Sequence, residues 1–241
     1  MTSTIAFIGK SGSGKTTLTR CFVEILKENF PNSTILVVDN DLTLELSDSF
    51  GIQAKNTIYG VKSGKHEYKT GIPEGMSKQE YIDWALEDII VALDDNIDLI
   101  ASWFVTPKDC LCLAAKLMRD SIAKLIERYD FVVFDCEYDL KYLNLLVDYP
   151  MDETIIVSLA KKDNIALSSK IAQNSKKYAT GGQLGVILNR AKKEDLSNSI
   201  NLTSALELDL IGTIFESNSK DEILNSLKGL YSRLNLPQVN K

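Results

Sequence analysis

The stretch Gly9-Lys10-Ser11-Gly12-Ser13-Gly14-Lys15-Thr16-Thr17 constrains the fold more than any other part of this chain. It meets the phosphate-loop spacing G-x-x-x-x-G-K-[ST] at each fixed position. Glycines at 9, 12 and 14 permit backbone angles that side-chained residues avoid, so successive N–H groups can turn inward on an anion. A helix that starts directly afterwards aims its positive end at the same place. The flanks agree, since Thr4–Ile8 reads as a short apolar strand and Thr16–Asn29 as a helix. Lys15 is then expected at the β- and γ-phosphates of a nucleotide, and the Thr16 hydroxyl on Mg²⁺.

The rest of the chain alternates between strand and helix. Strands are expected at 34–38, 97–101, 131–134, 154–158, 184–188 and 211–215. Helices are expected at 78–93, 164–178, 193–207 and 220–234, and one more should start near Pro107 and Asp109. Ser77 and Glu80 have capping-box spacing at the start of the first of these. Such alternation specifies an α/β fold, a P-loop NTPase with a doubly wound, mostly parallel sheet flanked by helices. At 241 residues and 44% apolar content, one domain over 1–241 is expected. Residues 52–76 show little periodicity, and 59–69 read as a basic loop around His66, the only histidine.

Charge and composition narrow the classes. A net charge of −6 argues against a dedicated nucleic-acid binder, although lysines 161, 162, 170, 176, 177, 192 and 193 leave a local patch open. No stretch approaches the roughly 18 apolar residues of a membrane span. The first apolar run stops at Gly9 and lacks a basic leader, so a cytoplasmic protein without membrane attachment is expected. The four cysteines are then not expected in structural disulfides. Cys21 falls on the apolar stripe of the first helix and reads as core.

Polar residues gather at strand ends. Asp39-Asn40-Asp41 ends the second strand, Asp135 ends the strand 131–134, and Asn189-Arg190 follows 184–188. Ligands of doubly wound sheets bind at the carboxyl ends of strands. Each group is also compatible with an ordinary polar turn. An asparagine amide carries one donor and one acceptor edge, which matches adenine.

The second lysine makes the loop G-K-x-G-x-G-K-T-T, which resembles the deviant Walker A of the MinD/ParA/nitrogenase-iron-protein ATPases. Ser11 stands where that superfamily usually has glycine. The resemblance implies ATP or ADP with Mg²⁺, and a homodimer in which Lys10 crosses to the partner's phosphates. It places Asp39 near Mg²⁺, with Asp135 as the Walker B carboxylate holding the ion through water. Asp41 would orient or activate the attacking water, so the catalytic roles fall to Lys10, Lys15 and Asp41. Asn189-Arg190 would recognise adenine, and Phe215 with Glu216 would cover it.

Within the superfamily, Cys110-Leu111-Cys112 ahead of a helix resembles the CooC-type nickel-insertion ATPases. The stretch Asp135-Cys136-Glu137-Tyr138-Asp139-Leu140-Lys141-Tyr142-Leu143 is similar to their switch II at Asp135, Glu137 and Leu143. It departs at Asp139, the glycine position, and at Tyr142, the histidine position. This resemblance implies a metallochaperone ATPase. Cys110 and Cys112 of two protomers would share Ni²⁺ or Zn²⁺ at the dimer interface, for delivery to a client metalloenzyme of the carbon monoxide dehydrogenase or acetyl-CoA synthase type. The departure at Asp139 puts a carboxylate in place of the switch II glycine, so slow turnover is expected unless Asp139 turns away from the γ-phosphate. Two small packing residues remain the alternative for the cysteine pair, and packing is the expectation for Cys136. The rival functions are a MinD/ParA-like partitioning or positioning ATPase, an iron–sulfur nucleotide switch, and a nucleotide binder that scarcely hydrolyses.

Overall fold

Strands covered on both faces must be apolar throughout, and the runs around 5–8, 35–38 and 131–134 are. The computed structural model describes residues 2–62, 72–102, 113–138, 149–177 and 182–236. Strands β1 (Ser3–Ile8), β2 (Ile35–Asn40), β3 (Val91–Asp94), β4 (Ile97–Ala101), β5 (Phe131–Cys136), β6 (Glu153–Leu159), β7 (Gln183–Ala191) and β8 (Leu210–Phe215) form one sheet. Their order is β3-β4-β2-β5-β1-β6-β7-β8. Every pairing is parallel except β3 with β4 at one edge. The expected doubly wound, mostly parallel sheet is present.

Among the described residues the helices are α1 (Lys15–Asn29), α2 (Glu45–Ser49), α3 (Ile58–Lys62), α4 (Lys78–Asp88), α5 (Leu113–Ile126), α6 (Lys162–Ser175), α7 (Leu196–Ala205) and α8 (Lys220–Tyr231). Successive strand residues point to opposite faces. Ile5 and Phe7 therefore pack with α1 and α8, through Leu18, Phe22, Ile25, Leu227 and Tyr231. Ala6 and Ile8 lie in the cluster on the other face, with Leu86, Ile122, Ile126 and Ile165 of α4, α5 and α6. Cys21 is 1% exposed in the first cluster, as its place on the stripe requires.

Two expectations need correction. The helix expected over 78–93 ends at Asp88, and 91–94 form strand β3. Ile90-Val91 favours extended backbone. Asp95 and Asn96 turn the chain so that Val91 pairs with Leu99, which covers the outer edge of β4. Asn189-Arg190 lies inside β7 rather than beyond it. The two short helices α2 and α3 have no clear periodic signal. The capping box of α4 is formed, with Ser77 N–H donating to Glu80 at 2.8 Å and Glu80 N–H donating to Ser77 Oγ at 3.2 Å.

The central strand β1 sits between β5 and β6, while the chain leaves it for β2, two positions away. Successive connections therefore diverge at its carboxyl end, where a crevice opens. The phosphate loop occupies that point.

Candidate nucleotide and magnesium site

Gly9 to Thr17 turn from β1 into α1. Gly9 has φ 137°, and a Cβ there would lie 2.4 Å from the Val157 carbonyl oxygen of β6. No other residue fits between those strands. Gly14 caps α1 in the left-handed region and offers no side chain to its free N–H groups. Those groups remain available to an anion. Ser13 is 1% exposed, yet its hydroxyl has no partner among the described residues. Lys15 is 5% exposed, and no acid among the described residues pairs with it. A buried ammonium and an orphaned hydroxyl on one loop suit a phosphate ligand. Lys10, Ser11, Gly12 and Thr17 are exposed.

The carboxylates stand beside the loop. Parallel register places Asp39 of β2 against Asp135 of β5, both fully buried. Thr16 donates its hydroxyl to Asp135 Oδ2 at 2.7 Å, so two of the three residues expected at Mg²⁺ meet. Thr19, one turn along α1, reaches Asp135 Oδ1 at 3.3 Å and its own helix at Lys15 O at 3.0 Å. Burial pushes the Asp135 pKa up to about 7, and the charges of Asp39 and Asp41 add to this. The Thr16 bond and the Lys15 charge oppose it. A buried carboxylate held above its ordinary range is an unneutralised anion site, and hard oxygen donors suit Mg²⁺.

Asp39 is committed elsewhere. Its Oδ2 accepts the Ser47 N–H at 2.8 Å and the Ser47 hydroxyl at 2.6 Å. Burial nevertheless raises its pKa, because those bonds only partly offset desolvation. Asp39 thus anchors α2 and the turn between, which carries Asp41. Asp41 is 8% exposed, and its Oδ1 accepts Thr43 N–H at 2.9 Å and Thr43 Oγ1 at 2.7 Å. Cys136 is buried at the end of β5, where burial and the Asp135 charge raise its thiol pKa. That makes it an inert packing residue next to the site.

Across β6, β7 and β8, the same carboxyl edge holds the residues expected around adenine. Arg190, Glu216, Lys161, Lys192 and Asp195 line a pocket of about 250 Å³ floored by Leu159 and Ala160. Phe215 is 43% exposed beside it. Asn189 is buried and donates to the Ser13 carbonyl at 2.8 Å. Cys110, Cys112, Asp139, Tyr142, Leu143 and His66 lie outside the described residues, as does most of the loop 59–69. Among the described residues there is no cluster of three or more metal-ligating side chains, and no helix is long and apolar enough to cross a membrane.

Thr19 and Ser47 escaped the sequence reading, and Lys161 entered it only as part of a possible nucleic-acid patch. For Thr19 a signal existed, because the i, i+3 spacing from Thr16 places both hydroxyls on one helix face. Ser47 had none, since its link to Asp39 depends on the turn between them.

The comparisons with known proteins agree with this geometry. Residues 2–180 match the model of the AAA domain family AAA_31. An uncharacterized ATP-binding protein of Methanocaldococcus jannaschii is 28% identical over 98% of this chain and 92% of its own length. A plasmid partition protein from Borrelia burgdorferi superposes with a TM-score of 0.70 at 22% identity, over 97% of this chain and 98% of that one. A ParA family ATPase from Chlorobium tepidum gives 0.66 at 17% identity, over 96% and 92%. The septum site-determining protein MinD from Pyrococcus horikoshii, in complex with Mg-ADP, gives 0.62 at 24% identity, over 93% and 86%. The chain belongs to the AAA domain family and has the fold of the ParA and MinD P-loop ATPases.

Proposed function

We propose that residues 1–241 form one Mg²⁺-dependent ATPase that dimerises around nucleotide. The observation that carries this is the 2.7 Å contact between Thr16 Oγ1 and Asp135 Oδ2, beside a buried Lys15 that no acid among the described residues pairs with. Thr16 and Asp135 would hold Mg²⁺, with Asp39 behind them. The ion would neutralise charge on the β- and γ-phosphate oxygens. Loop N–H groups other than those of Gly9 and Ser13, which donate to the Tyr138 and Lys10 carbonyls, bind the phosphates, and Lys15 adds its charge. Asp41 orients the attacking water, leaving Oδ2 for it while Thr43 occupies Oδ1. The base lies by Asn189 and Arg190, under Phe215 and Glu216.

Lys10 reaches the partner's phosphates from its exposed position. The first test is light scattering with ATP and Mg²⁺. The parent should dimerise, Lys10→Ala should bind ATP but remain monomeric and inactive, and Lys15→Ala should lose ATP affinity. A Lys10→Ala protein that dimerises like the parent overturns the crossing role.

The dimer's work follows from Cys110 and Cys112. A two-fold axis would bring four thiolates together, enough for one Ni²⁺ or Zn²⁺ destined for a client metalloenzyme. Turnover would be slow in this reading, because Asp139 occupies the glycine position of switch II in the sequence and adds a negative charge there. The likeness to partition and septum-site proteins favours a second reading, a partitioning or positioning ATPase. Equilibrium dialysis separates the two. Metal bound at one per dimer, and lost in Cys110→Ala/Cys112→Ala with ATP affinity kept, supports the metal carrier. Equal uptake by both proteins leaves the positioning reading.

A further inference from the structure

We infer that Asn189 positions the phosphate loop, and is therefore required for binding the phosphates themselves and not only the base. This rests on the nucleotide reading above and deepens it. Asn189 belongs to β7, in register with Leu159 of β6, and its backbone carbonyl accepts the Ala160 N–H at 3.2 Å. Its backbone is thus fixed by the sheet. Pairing between β7 and β8 slips between Leu188 and Ala191, and Arg190 takes a left-handed φ of 52°. That local turn lets Arg190 donate its N–H to Asn189 Oδ1 at 3.0 Å, which sets the plane of the amide. The amide then presents Nδ2 to the Ser13 carbonyl at 2.8 Å, in a buried contact.

The consequence lies in the Ser13–Gly14 peptide. A trans peptide is planar, with its C=O and N–H pointing in opposite directions. Holding the Ser13 carbonyl toward β7 therefore aims the Gly14 N–H away from β7, to the other side of the loop. Gly14 has φ 94°, a conformation in which glycine flips its flanking peptides at little cost. Asn189 removes that freedom. The fit is close, because a Cβ on Gly14 would lie 2.4 Å from Asn189 Nδ2. The other side of the turn is closed by the loop itself, with Ser13 N–H donating to Lys10 O at 3.1 Å. One amide hydrogen and one lone pair of Asn189 remain for a base, so the same side chain can link base and phosphate loop.

Inorganic tripolyphosphate, which has no base, separates this role from base reading. Titration calorimetry with Mg²⁺ would compare ATP and tripolyphosphate on the full chain, on Asn189→Ala and on Asn189→Leu. The leucine variant keeps the volume and loses both hydrogen bonds, so it carries the measurement if alanine disturbs folding. Both variants should bind tripolyphosphate about tenfold more weakly, and ATP more weakly by at least that factor. Hydrogen exchange at the loop amides should accelerate in the ligand-free variants. A role in fold stability alone would lower the melting temperature and leave the folded fraction's tripolyphosphate affinity unchanged. Parent-like tripolyphosphate binding with weakened ATP binding would overturn the inference and leave a base reader. A parent that binds neither ligand would instead sink the nucleotide reading beneath it.

Discussion

Asp135 at the carboxyl end of β5 and Glu153 at the amino end of β6 are buried at opposite edges of the same sheet, 0% and 1% exposed. Burial raises the pKa of both. Their partners differ in kind. Glu153 Oε1 accepts the backbone N–H of Asn235 at 2.5 Å, which ties the segment after α8 to the sheet. Asp135 accepts two hydroxyls, Thr16 at 2.7 Å and Thr19 at 3.3 Å. An amide N–H only donates, whereas a hydroxyl also accepts and its proton rotates. Thr16 can turn its lone pairs to a cation without leaving Asp135. Equal burial therefore makes a fixed clasp at one edge and an exchangeable site at the other.

Charge removal at the exchangeable edge should have the largest effect. Asp135→Asn keeps the shape and the Thr16 contact but takes away the anion that would attract Mg²⁺. Steady-state ATP hydrolysis should fall about 100-fold or more, with the fold retained by circular dichroism. Hydrolysis at the parent rate would make Asp135 as structural as Glu153, and the contrast between the edges would vanish.

A smaller effect is expected one turn along α1. Thr19→Val removes a hydroxyl from Asp135 without changing the side-chain shape much. The Mg²⁺ concentration for half-maximal hydrolysis should rise about tenfold, and Thr19→Ser should restore it. Equal Mg²⁺ dependence in all three proteins would reduce the 3.3 Å contact to helix packing.

The smallest effect belongs to the fixed edge. Glu153→Gln retains an acceptor for Asn235 and leaves hydrolysis unchanged. Its signature is in pH. A carboxyl whose folded pKa is raised holds its proton in the native state after the unfolded chain has released it. The parent therefore loses stability as pH rises from the ordinary value of 4.5 through the raised folded value. Denaturant melts should show that slope in the parent and a flatter one in Glu153→Gln. Identical slopes would mean that Glu153 does not titrate differently on folding.

Much of the site was legible in the residue string. Gly9 to Thr17 could be placed between a strand and a helix because spacing, glycine positions and flanking apolar periods agree. The resemblance to the deviant Walker A ATPases assigned Asp135 and Thr16 to one ion, without their direct contact. The edge hairpin was not legible. Helical and extended patterns are both compatible with a short apolar run such as 89–93, and only the open edge of β4 chose between them. Asp39 was placed correctly at a strand end, but its partner Ser47 depends on how the chain turns after Asp41.

By itself the sequence determined the order of the parallel strands and the longer helices, the phosphate loop, and the acids at the carboxyl ends. Those follow from backbone preferences and side-chain period, which act over a few residues. Tertiary structure alone decided what each polar group holds. Asn189 meets Ser13 across 176 residues of sequence, and Thr16 meets Asp135 across 119. Such contacts arise from parallel register and from the slip between β7 and β8, which set distances that no local pattern encodes.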